Sequence, residues 1–164
     1  MSRPDGAGRL MAVALVVALF LTLLPLPSLL EPLRPYWMAL VIIYWALEVQ
    51  PSISLGLAFC LGLVLDLLLG SLLGMHALSL VVMVFLVQRF RARMRFFPAW
   101  QQALAVLALL ANDRIILLWI TALLGEPMPT WQYWLGPLAG MAIWPWVFLL
   151  LDRLRIRRRH AARQ

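Results

Sequence analysis

Few side chains in this 164-residue chain can do chemistry, and they fall in two groups. Asp66 and His76 flank the segment Gly70-Ser71-Leu72-Leu73-Gly74 at comparable distances, so a hairpin turned there sets them at similar depth, within reach of a mutual hydrogen bond. The functional expectation is a polar pocket or a partner-binding site. The plainer one is a self-satisfied pair, or a carboxylate that bonds the free N–H groups of the turn. Asn112-Asp113-Arg114 interrupts a long apolar run. Neighbouring residues on a helix point about 100° apart, so Asp113 and Arg114 cannot both face lipid harmlessly. An internal ion pair with amide support is expected there, or else a site for a ligand or for another protein's transmembrane helix. Ionisable groups inside hydrocarbon cost about 2.5–3.5 kcal/mol each on insertion scales, which makes every one a default candidate for function. Glu48, beside Gln50 and Pro51, reads as a solvated helix terminus, and the lone Cys60 as a small packing residue.

Two intramembrane aspartates invite comparison with aspartyl peptidases, in which paired carboxylates share a proton to activate water. The fragment Asn112-Asp113-Arg114 is also similar to part of the lipoprotein signal peptidase pattern. The depths disagree with that chemistry: Asp66 lies about 5 Å and Asp113 about 16 Å from the outer ends of their spans. That family's second aspartate motif, rich in asparagine and alanine, is missing as well. No nucleophile elbow, zinc helix or phosphate-binding loop is present, so the chain reads as no enzyme, with no cofactor and no metal.

The elements that must position these residues follow from composition. The chain is 64% hydrophobic and 13% charged, with a mean hydropathy of +0.91. Soluble domains carry about a quarter charged residues, so an ordinary water-soluble protein is excluded. Spans of about 20 residues leave room for about six crossings. The first covers 10–24, a retained helix rather than a signal peptide because no small-residue cleavage site follows it. The second, 36–49, is short, with Tyr36, Trp37, Tyr44 and Trp45 as interfacial anchors. The third and fourth, 53–69 and 75–87, form the hairpin, and Gly56 and Gly62 are expected to let a neighbouring helix approach closely. Arginine stands at every second position from 89 to 95, so 88–98 reads as a loop or surface-lying segment. The fifth span is 100–124, and the sixth passes through Trp144-Pro145-Trp146 to 151.

With six spans, twelve of the fourteen arginines fall on one side, leaving Arg34 opposite and Arg114 within the membrane. By the positive-inside rule both termini are cytoplasmic. Topology and attraction to anionic lipid then account for the basic charge, without nucleic acid. The fold class is an all-α integral membrane protein, a bundle of about six transmembrane helices. Residues 1–152 form a single polytopic domain and 153–164 a basic cytoplasmic tail.

Along nearly its whole length the chain resembles the rod shape-determining protein MreD family. The resemblance rests on Arg34-Pro35-Tyr36-Trp37 with Tyr44-Trp45, on the G-x(5)-G-x(3)-D-x(3)-G-x(3)-G run from Gly56 to Gly74, on Trp100-Gln101-Gln102-Ala103-Leu104, and on Trp144-Pro145-Trp146 before the basic tail. It implies a small, non-enzymatic, multi-pass protein of the bacterial inner membrane, part of the elongation machinery for lateral peptidoglycan synthesis. MreC is the implied nearest partner, with MreB, RodA and a penicillin-binding transpeptidase in the larger complex. Asp66, Gly70 and Gly74 carry over as motif residues without an assigned duty. The expected mode of action is recognition of another protein's membrane anchor through small-residue grooves and buried polar contacts, so Gly62→Leu should weaken partner association without preventing insertion. The alternative is a small-molecule-capturing membrane subunit of a transporter. That would need a water-accessible cavity lined by groups such as Asp66, His76, Asp113 and Arg114.

Overall fold

The computed structural model describes residues 5–49 and 53–161. Among them the chain is all-helical, with six α-helices: α1 (Asp5–Leu23), α2 (Trp37–Glu48), α3 (Leu55–Leu69), α4 (Met75–Met94), α5 (Ala99–Leu123) and α6 (Leu135–Ala161). Single 3-10 turns, Glu31–Leu33 and Trp131–Trp134, lead into α2 and α6. By length and composition α4, α5 and the segment Trp131–Arg157 can each cross a membrane. The apolar stretches Gly8–Leu23 and Leu55–Leu69 are shorter.

The short second helix is the centre of the molecule. Every residue from 38 to 47 is buried, because α1, α4, α5 and α6 all pack against α2. A helix apolar on all sides belongs in a core, and WMALVIIYWALE has no polar face to offer. Tyr44 and Trp45 are therefore core residues, fully buried, and not the interfacial anchors their type suggested. Twelve residues rise about 18 Å, well short of about 30 Å of hydrocarbon. Shielded by longer helices, α2 has no lipid thickness to match, and local thinning of the bilayer is not required.

The outer helices present one stripe inward. On α4 it runs Ala77, Leu80, Met83, Val84 and Val87, at helical spacing. Leu15, Ala18 and Thr22 do the same for α1, and Thr22 returns its hydroxyl to the Ala18 carbonyl at 2.8 Å. The α3–α4 hairpin is the tightest pairing. A Cβ on Gly62 would fall on the Ala77 backbone and 2.8 Å from the His76 carbonyl carbon, so the two helices touch main chain to main chain. The close approach expected of Gly62 is thus consumed inside the chain, and it forms no groove for a partner. Gly56 is exposed with no helix beside it, its nearest neighbour being Ser54 Oγ at 3.9 Å. Cys60 is also exposed rather than packed.

Two sequence segments separated by about 40 residues meet in the core. The buried Trp144 donates its indole N–H to Gln102 Oε1 at 3.2 Å, tying α6 to α5. Trp144→Phe keeps the ring packing but leaves that oxygen unpaired. A loss of about 1 kcal/mol is expected in detergent unfolding, and an unchanged midpoint would show the bond to be dispensable.

Residues 88–94 of the arginine-rich stretch are helical, where a loop or a surface-lying segment is expected over 88–98. α4 continues to Met94, since nothing before Pro98 breaks a helix, and charged turns simply extend past the apolar ones. α6 likewise continues through 153–161. Glu48 is not a solvated terminus: its side chain is 11% exposed and pairs with Arg155 at 3.2 Å and Arg95 at 3.8 Å. Arg91 Nε donates to the Leu47 carbonyl at 2.6 Å, and Arg155 bridges on to Asp152 at 2.6 Å, which accepts from Tyr44. Cations thus cover the carbonyl end of α2, where the helix dipole favours them.

Candidate functional site

The opposite end of α2 is open. Because the central helix is short, the outer helices enclose a cavity of about 540 Å³ above its N-terminus. The wall is assembled from all parts of the chain: Glu31 and Arg34 before α2, Tyr36 at its N-cap, His76 on α4, Asp113 and Arg114 on α5, and Tyr133 before α6.

One wall begins at the hairpin. α3 ends on Gly70 with φ 65°, and α4 begins after Gly74 with φ 99°, both in the left-handed region that glycine enters without strain. Asp66, in the last turn of α3, is only 1% exposed and collects four donors. Its Oδ1 accepts from Ser71 Oγ at 2.8 Å and His76 N at 3.0 Å, and meets His76 Nδ1 at 2.8 Å. Its Oδ2 accepts from Gly74 N at 2.8 Å. The carboxylate therefore closes the turn and orients His76, whose ring stands edge-on to Tyr36 with centroids 6.3 Å apart. Asp66 and His76 are brought together, and Gly70 and Gly74 permit it. Asp66 spends its oxygens on the turn and does not line the cavity, while His76 does.

The other wall belongs to α5. Asp113 is fully buried and accepts a hydrogen bond from Ser79 Oγ through Oδ1, while its Oδ2 has no partner. The ion pair expected between Asp113 and Arg114 is not formed, and Asn112 lends no amide support, its Nδ2 being unpaired. The cause is the helix itself: adjacent residues diverge, so Asp113 turns to α4 and Arg114 toward α6. The Arg114 guanidinium lies over the Tyr133 ring at 4.7 Å, with Gly136 leaving room beside it. Tyr133 OH donates to the Arg114 carbonyl at 3.2 Å. Arg34 donates to the Leu24 carbonyl, but its Nε is buried without a partner, as is Tyr36 OH.

Sequence reasoning missed Ser79, Arg34, Tyr36 and Tyr133 as members of this site. Ser79 was findable: it stands three residues after His76 and shares a helical face with it. Arg34 and Tyr133 reach the cavity from turns, and no periodicity marks them. No cluster of residues suited to hold a metal occurs among the described residues.

The family model for rod shape-determining protein MreD matches residues 4–154. A protein named rod shape-determining protein MreD, from Haemophilus influenzae (strain ATCC 51907 / DSM 11121 / KW20 / Rd), is 36% identical over 140 residues, which cover 85% of this chain and 86% of that one. No solved structure matches.

Proposed function

This chain belongs to the MreD family of rod shape-determining proteins, and from that premise we propose that it is a non-enzymatic, multi-pass inner-membrane component of the bacterial cell-elongation complex. The observation that carries the reading is likeness to a named relative over most of both chains, which leaves little of either unmatched. In this role it binds MreC within the membrane, with MreB, RodA and a penicillin-binding transpeptidase in the wider assembly, and supports lateral peptidoglycan synthesis. Both termini and the Glu48–Arg95–Arg155 network face the cytoplasm, and the cavity opens outward. The arginine asymmetry supports this orientation. Since Gly62 is used internally, partner contacts fall to outward-facing residues of the bundle.

Depletion in the native bacterium, with microscopy and a mild-detergent pull-down through a C-terminal tag, tests the proposal. Rods that round up, with an MreC-like protein in the eluate, are expected. Unchanged rods together with an eluate lacking such a protein would overturn it.

A further inference from the structure

The cavity over α2 brings groups of opposite charge to one space. Its volume of about 540 Å³ is that of a small-molecule site. Three features favour an anion at one side: the guanidinium of Arg114, which makes no ion pair among the described residues; the guanidinium of Arg34, which bonds the Leu24 carbonyl but keeps its Nε unpaired; and the N-terminus of α2, whose N-cap carries no side-chain hydrogen bond. The Glu31 carboxylate lines the cavity too and opposes an anion near it. A second feature asks for a donor. Asp113 is fully buried on the same wall and leaves Oδ2 unpaired, and such an orphaned oxygen is costly unless a ligand meets it. Tyr36 OH is also buried and unpaired, and Tyr36 lines the same cavity.

We propose that this cavity binds a phosphate ester bearing an adjacent ammonium group, the phosphate held by Arg114, Arg34 and the α2 N-terminus, the ammonium by Asp113. Two sources offer that chemistry, a lipid headgroup and a water-soluble phosphoethanolamine-like molecule. Neither depends on which proteins the chain assembles with.

The test uses delipidated full-length protein in detergent, titrated with phosphoethanolamine while its thermal unfolding midpoint is followed. A saturable rise in midpoint is expected, with inorganic phosphate alone and ethanolamine alone each at least about tenfold weaker, because each meets only half of the site. Arg114→Gln and Asp113→Asn should each weaken the response at least about tenfold. Tyr36→Phe guards against misfolding, since it removes a hydroxyl that has no partner and keeps the ring. It should elute as the parent does and bind several-fold more weakly. Arg93→Gln, exposed at the other end, should bind as the parent does. The source is read in nanodiscs: phosphatidylethanolamine discs that abolish the response, against phosphatidylglycerol discs that retain it, identify the headgroup, and equal responses in both identify the soluble molecule. No shift with phosphoethanolamine, an equal shift with phosphate alone, or an equal shift in all three site variants would overturn the proposal.

Discussion

Gly62→Leu is expected to abolish the folded bundle rather than loosen a partner. A Cβ at position 62 meets main-chain atoms of Ala77 and His76, which cannot swing aside as a side-chain tip can. Overpacking a core costs about 1–3 kcal/mol where neighbours can adjust. Here α3 must separate from α4, so Gly62→Ala should fall in that range and Gly62→Leu should exceed about 3 kcal/mol. The displacement would also pull His76 from Asp66 and deform the cavity wall. Size-exclusion profiles of detergent-solubilised protein read the effect directly: aggregation for Gly62→Leu, a lowered midpoint for Gly62→Ala. Gly56→Leu, in open space on the same helix, should behave as the parent. A monodisperse Gly62→Leu protein with a parental midpoint would mean that the two helices are not in main-chain contact.

Asp66→Ala should be nearly as severe. Four donors converge on this carboxylate, two of them backbone N–H groups of the turn, and each bond to a charged acceptor is worth about 1.5–3 kcal/mol. Such bonds are not additive, and a loss of about 3–5 kcal/mol is expected, the cost of breaking a buried charged contact. Asp66→Asn separates the parts: its amide oxygen can keep the bonds now made to Oδ1, but its NH₂ would face the Gly74 N–H, donor against donor. Its midpoint should lie between those of Asp66→Ala and the parent. If Asp66→Ala unfolds at the parental temperature, the carboxylate does not close the turn and a role in recognition becomes the better explanation.

Much of the architecture was legible in the residues. Composition excluded a soluble domain, and the prolines and glycines placed six helices close to where they lie. Turn chemistry placed Asp66 opposite His76, because the spacing Asp66–Gly70–Gly74–His76 leaves a short hairpin little choice. Other readings fail where packing brings in residues from far along the chain. By type Tyr44 and Trp45 suit an interface, by position Glu48 suits a solvated end, and by adjacency Asp113 suits Arg114. The first rests on residue type and the other two on what lies next in the chain, whereas the structure pairs Tyr44 with Asp152, Glu48 with Arg155, and Asp113 with Ser79. Sequence separation hides the partners of Tyr44, Glu48 and Asp113.

By itself, then, the sequence determined the class, the helices, the hairpin and the family, since these depend on hydropathy, on local backbone freedom and on motif order. Tertiary structure alone decided which helix is central. A helix apolar on all sides can face lipid or other helices equally well, and only the packing of α1, α4, α5 and α6 around α2 selects between them. That choice also created the cavity: a 12-residue centre inside longer helices leaves space at its N-terminus. Arg34, Tyr36, Asp113, Arg114 and Tyr133 surround it from elements distant in sequence, and no local pattern could have announced that they would meet.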